Sequence, residues 1–210
     1  MKAKTILRNL GKILLLFPII AIGLGIAVGS LRYLEPDFSR GFLRDKAEVF
    51  DGIFQYGLYL HMLGTPLALF LGTSQAFFRY EWKQGTHHRW LGRVYAFAVI
   101  FLAAPGGLIL APYSAGGWWG KASFLLLGLL WLVFTAQGWS HARSKRWNSH
   151  RQWMIRSYLL TLSAVVLRIG LFVQNSLIQD YSEAGYALLA WLSWVPLLLI
   201  GEIFLRKSQK

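Results

Sequence analysis

The stretch "HRQWMIRSYLLTLSAVVLRIG", residues 150–170, decides how this chain folds. It begins with basic and aromatic residues and continues as a mostly apolar run that contains one charge, Arg168. A helix needs about 20 such residues to cross the hydrocarbon core of a bilayer. A near echo, "HRWLGRVY" at residues 88–95, precedes a second apolar run. The pattern predicts two membrane helices that begin with the same types of residue.

The rest of the chain contains further apolar stretches of this length. We predict six spans, at residues 12–33, 53–78, 91–112, 119–140, 153–174 and 185–205. The composition agrees, because 55% of the residues are hydrophobic and 15% are charged, against about 25% charged in soluble domains. We therefore expect an all-α polytopic membrane protein with one transmembrane domain, residues 1–210, and an uncleaved first span.

The basic residues predict the orientation of these spans. Sixteen of the 22 Lys and Arg residues fall on one side, at both termini and in the loops after the second and fourth spans. Cytoplasmic loops are enriched in Lys and Arg, so both ends of the chain are expected in the cytoplasm of a bacterial inner membrane. Because the net charge of +13 is distributed over separate membrane edges, nucleic-acid binding is disfavoured.

Small and polar residues recur at helical spacing in spans two to five, which predicts that these spans form a central four-helix bundle. The stripe of the fifth span is His150, Met154, Ser157, Thr161, Ala164 and Arg168. The stripe of the second is Gly57, His61, Gly64, Ala68, Gly72, Gln75 and Arg79. The third offers His88, Gly92, Ala96, Val99, Ala103 and Gly106, and the fourth Gly128, Trp131, Thr135, Gly138 and His141.

The first and sixth spans lack polar stripes and are expected at the periphery. Ala21, Gly25 and Gly29 are spaced by four residues, which predicts a face for close helix packing in the first span. The loop 34–52 mixes charges with apolar residues, and we expect a short amphipathic helix there that lies on the membrane surface. Pro196 in the sixth span is tolerable beside neighbouring helices.

Depth along the helices predicts two polar layers. At about 1.5 Å per residue, His150 and Arg168 lie at opposite ends of the fifth span. The outer layer comprises His61 and Arg168, with Asp51 or Asp180 available from loops. The cytoplasmic layer comprises Gln75, Arg79, His87 or His88, Arg93, His141, His150 and Arg156. A charge inside a span is costly, so Arg168 either faces the helix bundle with a partner or snorkels to the outer surface.

Interface chemistry explains part of the cytoplasmic layer without a function, because amphipathic side chains are stable at a membrane surface. This interpretation covers Trp90, Arg93, Tyr95, Trp153, Arg156 and Tyr158. It does not account for His88 and His150, which stand at the mouths of two parallel spans.

Residues 55–175 resemble the bacterial membrane family known as domain of unknown function 2306. The segments "HMLGTPLALFLGTSQAFFR", "HRWLGRVYAFAV" and "HRQWMIRSYLLTLSAVVLRIG" contain the resemblance. The matching residues are His61, Gly64, Gln75, Arg79, His88, Gly92, Arg93, His150, Trp153, Met154, Arg156, Ser157 and Arg168. The resemblance implies a polytopic inner-membrane protein and implies no activity.

Three functions fit these residues. The first is a b-type haem or quinone-linked electron-transfer protein, in which His88 and His150 ligate one haem iron and Arg93 or Arg156 pairs with its propionates, beside Gln75. The second is a cofactor-free binder or transporter of an anionic lipid or small molecule, with Arg168 and His61 in an outer site. The third is a structural accessory subunit.

Hydrolytic chemistry is disfavoured. The chain has no Cys and contains neither a His-Glu-x-x-His pair nor a Gly-x-Ser-x-Gly elbow. A zinc site at His87, His88 and His141 lacks carboxylates nearby, because Glu81 and Glu202 are the acids on that side.

Overall fold

The computed structural model describes residues 2–39, 41–78, 85–179 and 182–207, with side chains from residue 11 onward. No residue in these ranges lies in a β-strand. The α-helices are α1 (Lys2–Ser30), α2 (Gly52–Phe77), α3 (Thr86–Phe97), α4 (Ala104–Leu110), α5 (Gly117–Arg143), α6 (Trp147–Val173), α7 (Glu183–Leu192) and α8 (Val195–Lys207).

Five helical segments are long and apolar enough to cross a membrane. They are Gly11–Leu34, Thr86–Tyr113, Gly117–Arg143, Trp147–Ile178 and Glu183–Lys207, and each covers one predicted span. Helix α2 covers the remaining predicted span with 26 residues, but it is not one of the five. Its small and polar residues, Gly57, Gly64, Thr65, Gly72 and Thr73 among them, are buried against other helices.

Two of the long segments contain π-helical turns. The third predicted span consists of α3, a π-helical segment at Ala98–Ala103, and α4. Helix α6 continues into a π-helical segment at Gln174–Ile178. A π-helical turn rotates the residues that follow it, so Ala98, Ala103 and Ala104 are all completely buried although they do not share one α-helical face.

The helices pack closely where glycines face a neighbour. A methyl group placed on Gly64 of α2 would lie 2.5 Å from the backbone nitrogen of Ala103. One placed on Gly106 would lie 2.5 Å from the backbone nitrogen of His61. Helix α5 approaches α6 in the same way, because a methyl on Gly138 would lie 2.5 Å from Met154 Sδ. These contacts confirm the small-residue faces predicted for α2 and α5.

The main apolar cluster contains residues from α2, the third span, α5, α6 and the turn between α7 and α8. Its buried members are Ala68, Tyr95, Val99, Ala103, Ala104, Trp131, Leu160 and Trp194. Trp194 is buried and donates its indole N–H to Ser123 Oγ at 3.0 Å. The predicted position of the sixth span at the periphery is therefore wrong in part. It is also divided into α7 and α8 just before Pro196, whose ring nitrogen cannot donate a helical hydrogen bond.

The predicted packing face of α1 is wrong. Among the described residues, no atom outside the nearby backbone of α1 itself would lie within 4 Å of a methyl group on Gly25 or Gly29. Helix α1 instead contacts Leu69 and Phe70 through Gly23, and Ile26 packs with Leu69 and Val165. Spacing by four residues occurs on several faces of a helix, and the larger isoleucines determine which face makes the contact.

The predicted amphipathic helix in loop 34–52 is also wrong. The described residues from Leu31 to Val49 contain three short 3₁₀ turns, and Gly41 and Asp45 have positive φ angles of 66° and 59°. Such backbone angles interrupt a helix. The apolar side chains fold onto the protein instead. Leu43 is 1% exposed and packs with Phe54, Leu58 and Leu110, and Phe38 and Phe50 pack edge to face at 5.1 Å.

Candidate functional site

A buried hydrogen-bond network joins the third span to α5 and α6. Tyr95 Oη lies 2.7 Å from Ser157 Oγ and 2.9 Å from Thr161 Oγ1. Trp131 donates its indole N–H to Thr161 Oγ1 at 3.1 Å, and Thr135 Oγ1 lies 2.7 Å from Ser157 Oγ. These five residues, from Tyr95 to Thr161, are hereafter the Tyr95 network. Tyr95 is 1% exposed, so its interpretation as a membrane-surface aromatic is wrong.

The Tyr95 network shows how the helices that contain His88 and His150 are aligned along the molecule. Thr135 bonds to Ser157 while Gly138, one turn later in α5, lies against Met154, one turn earlier in α6, so α5 and α6 are antiparallel. Gly128 of α5 contacts Leu108 of the third span, so α5 is antiparallel to that span too. The third span and α6 therefore run in the same direction.

His88 and His150 consequently lie at one level, because each precedes its partner in the Tyr95–Ser157 bond by seven residues. Two helical turns place both about 10 Å from the Tyr95 network. We call this the His150 end of the molecule. The His150 Nδ1 atom lies 2.8 Å from the carbonyl oxygen of Gly138. A carbonyl only accepts, so Nδ1 donates its proton to Gly138 and Nε2 is the nitrogen that remains for another partner.

Gln75 and His88 are brought together through the backbone. Gln75 donates its amide N–H to the carbonyl oxygen of His88 at 2.8 Å, and the His88 side chain is exposed. Gln75 Oε1 is buried without a hydrogen-bond partner among the described residues. This bond ties the end of α2 to the first turn of α3.

The two arginines predicted to pair with haem propionates, Arg93 and Arg156, have different surroundings. Arg156 forms an ion pair with Glu202 of α8, with Nη2 donating to Oε2 at 2.9 Å, and its guanidinium lies 4.9 Å from the ring centre of Trp153. Arg93 is exposed. Arg79 lies outside the described residues, and His141 bonds to Gln137 of its own helix.

These residues fit a haem in part. The common level of His88 and His150 and the tautomer of His150 suit axial ligation, in which a ligand histidine donates its other N–H to a carbonyl. The propionate role given to Arg156 does not fit, because Glu202 already occupies that guanidinium. Within the described part of the chain, no three His, Asp or Glu side chains form a group that could hold a metal ion.

At the opposite end of α6, Arg168 lies on the wall of a cavity of about 920 Å³. We call this the Arg168 end. The cavity is lined by Ile22, Gly25, Ile26, Gly29 and Ser30 of α1, by residues Leu31–Leu34, and by Glu35, Asp37, Gly41 and Arg168. Arg168 thus shares the cavity with α1 and the loop that follows it.

The Arg168 guanidinium has few protein partners. It donates one hydrogen bond to a described residue, from Nη1 to the carbonyl oxygen of Ala164 in its own helix at 3.1 Å. Within the described ranges it has no carboxylate within 4.0 Å. Asp51 does not line the cavity, and Asp180 lies outside the described residues. Four of the five N–H donors of this side chain therefore have no hydrogen-bond acceptor among the described residues.

His61 lies close enough to Arg168 to interact with it electrostatically, but its ring is directed elsewhere. Nδ1 lies 2.8 Å from the carbonyl oxygen of Ala103, at the end of the π-helical segment. As at His150, the carbonyl requires the proton on Nδ1. A methyl group on Gly107 would lie 3.1 Å from this nitrogen, so the glycine provides room for the ring.

Sequence reasoning missed four cavity residues, namely Arg32, Tyr33, Glu35 and Asp37. Their signal was present in the charged loop after the first span, but the loop was predicted to lie on the membrane surface. Its folding back over the helices brings these groups near Arg168.

The chain was compared with known proteins. No match was found among curated proteins or solved structures. A family model described as "Predicted membrane protein (DUF2306)" matches residues 58–205, which extends the resemblance noted above through the sixth span. The chain therefore belongs to this family of membrane proteins.

Proposed function

We propose that this protein is a cofactor-free binder of an anionic group, which it holds in the cavity at the Arg168 end. The observation that supports this most directly is a guanidinium with no described carboxylate partner on the wall of a cavity of about 920 Å³. Cavities of about 300–1,000 Å³ are typical of small-molecule sites. Arg168 is exposed within a helix long enough to cross a membrane, where a charge is costly without a partner, and an anionic ligand supplies one.

The proposed membrane topology places this cavity on the outer side. In it, α1, α2, the third span, α5, α6 and the α7–α8 pair make six crossings, and α2 to α6 form the central bundle. Lys145 and Arg146 lie in the turn between α5 and α6, and Arg143 and Arg151 lie at the helix ends beside it, as expected for the cytoplasmic side of a membrane. The Arg168 end would then face the outer surface of a bacterial inner membrane.

A titration with glycerol 3-phosphate tests the proposal. The protein in detergent should show a saturable rise in Tm, because a ligand that binds the folded state stabilises it. Arg168→Gln should abolish the rise. Arg44→Gln is the matched control, since Arg44 pairs with Asp45 and does not line the cavity. Glycerol should have no effect. An equal rise in Arg168→Gln would contradict the proposal.

As a second candidate, we propose a haem b held by His88 and His150, in a quinone-linked electron-transfer role. Two observations favour it: the residues share one level, and Nδ1 of His150 bonds to Gly138, which leaves Nε2 for a metal. Such a group would supply one-electron chemistry, with Arg93 near its propionates. Visible spectra of protein expressed with ample haem should show a Soret band that His150→Ala removes. A colourless protein contradicts this candidate.

A further inference from the structure

The α1 wall of the cavity is shaped for a chain-like apolar group. Gly25 and Gly29 present no side chain, and a methyl group on either would meet nothing within 4 Å. Ile22 and Ile26 line the same wall. On α1 the side chains of Leu24 and Val28 are 52% and 64% exposed, on a surface that lipid covers in a membrane. A hydrocarbon chain from the bilayer can therefore reach this wall.

The cavity lining also contains charges of both signs. Arg168 and Arg32 supply two guanidinium groups, and Glu35 and Asp37 supply two carboxylates. Asp37 Oδ1 already accepts two hydrogen bonds from Ser39. A purely anionic ligand would be attracted by the arginines and repelled by the carboxylates. A ligand with a phosphate and an amine pairs its phosphate with the arginines and its amine with Glu35, through charge-assisted hydrogen bonds.

We infer that the cavity binds a phospholipid whose head group contains a phosphate and a protonated amine, with an acyl chain along Gly25 and Gly29. The phosphate lies against Arg168 and Arg32, and the amine lies against Glu35. This inference rests on the proposed function, because it names the ligand of the same cavity.

The test compares three lipids in nanodiscs: dioleoyl phosphatidylethanolamine, phosphatidylglycerol and phosphatidylcholine. After detergent extraction, native mass spectrometry counts the lipids that stay bound. We expect phosphatidylethanolamine to be retained about ten-fold over the other two, since phosphatidylglycerol lacks the amine and phosphatidylcholine lacks its N–H donors. Equal retention of all three lipids would overturn the inference.

Variants separate the two parts of the ligand. Gly29→Leu and Gly25→Leu should each lower phosphatidylethanolamine retention about ten-fold by filling the wall, while the Tm shift with glycerol 3-phosphate persists. Gly11→Leu, on the same helix with equally open surroundings but outside the cavity, is the control and should change neither. Glu35→Gln should remove the preference over phosphatidylglycerol. Unchanged retention in both glycine variants overturns the inference.

Failure of the inference and failure of the proposed function give different results. A glycerol 3-phosphate shift that depends on Arg168, without selective lipid retention, leaves the proposed function intact and rejects the lipid. Absence of both the shift and the retention rejects both. Circular dichroism and gel filtration of each variant establish that the protein is folded before it is scored.

Discussion

The Tyr95 network and the Arg168 cavity are both polar regions among apolar helices, and they differ in how their hydrogen bonds are completed. The side chains of the network are between 0% and 6% exposed, and each bonds to another member. Within the described part of the chain, Arg168 bonds to one carbonyl of its own helix, and it lines the cavity. A completed network stabilises and orients helices, whereas an uncompensated charge beside a cavity indicates a ligand.

The largest expected effect contrasts two glycines. Gly64→Leu should lower the free energy of unfolding by about 3 kcal/mol or prevent folding, because any side chain there meets the backbone of Ala103. Gly25→Leu, which meets nothing within 4 Å, should change it by less than about 0.5 kcal/mol. Unfolding in SDS, followed by tryptophan fluorescence, measures both. Equal losses would show that the cavity side of α1 is packed.

The next largest effect on stability is expected when the Tyr95 network is broken. Thr161→Val removes the hydroxyl that meets both Tyr95 and Trp131. Interhelical hydrogen bonds in membranes average about 0.6 kcal/mol each, so the loss should be about 1–2 kcal/mol. Thr65→Val is the matched control, because Thr65 Oγ1 is buried without a partner among the described residues. The free energy of unfolding of the Thr65→Val variant should be unchanged or higher than that of the wild type. A loss as large as that of Thr161→Val would contradict the argument.

A smaller effect concerns the paired arginine, Arg156. The side chains of Arg156 and Glu202 are 17% and 30% exposed, so solvent screens their attraction only in part. Glu202→Gln should cost about 1 kcal/mol. A double-mutant cycle with Arg156→Gln should give a coupling of about 0.5–1 kcal/mol. A coupling near zero would mean that Arg156 is held by Trp153 instead.

The smallest effect on stability is expected at Arg168. Since its guanidinium has no described ion pair, Arg168→Gln should change the unfolding free energy by less than about 0.5 kcal/mol, while it abolishes the glycerol 3-phosphate shift. Gel filtration and SDS unfolding measure the first quantity. Misassembly of this variant would favour the structural accessory role and contradict the distinction between a closed network and an open cavity.

Helical periodicity predicted much of the packing. Ser157, Thr161, Thr135 and Gly138 were assigned to inward stripes and are buried between helices. The level of His88 and His150 also followed from residue counts, because a helix rises by a constant amount per residue. Tyr95 was misassigned, since a tyrosine near a helix start suits both a membrane surface and a buried network.

What the amino-acid sequence alone determined is the membrane class, the family and the extent of five apolar segments, because hydropathy and length are local properties. Tertiary structure decided which face of α1 packs, where loop 31–51 folds and what Arg168 meets. Those outcomes depend on residues distant in the chain, such as Leu43 against Leu110 and Gly25 in the same cavity lining as Arg168. Hydropathy can be calculated for each segment separately. The packing of two helices depends on the side chains of both, so it cannot be deduced from either segment alone.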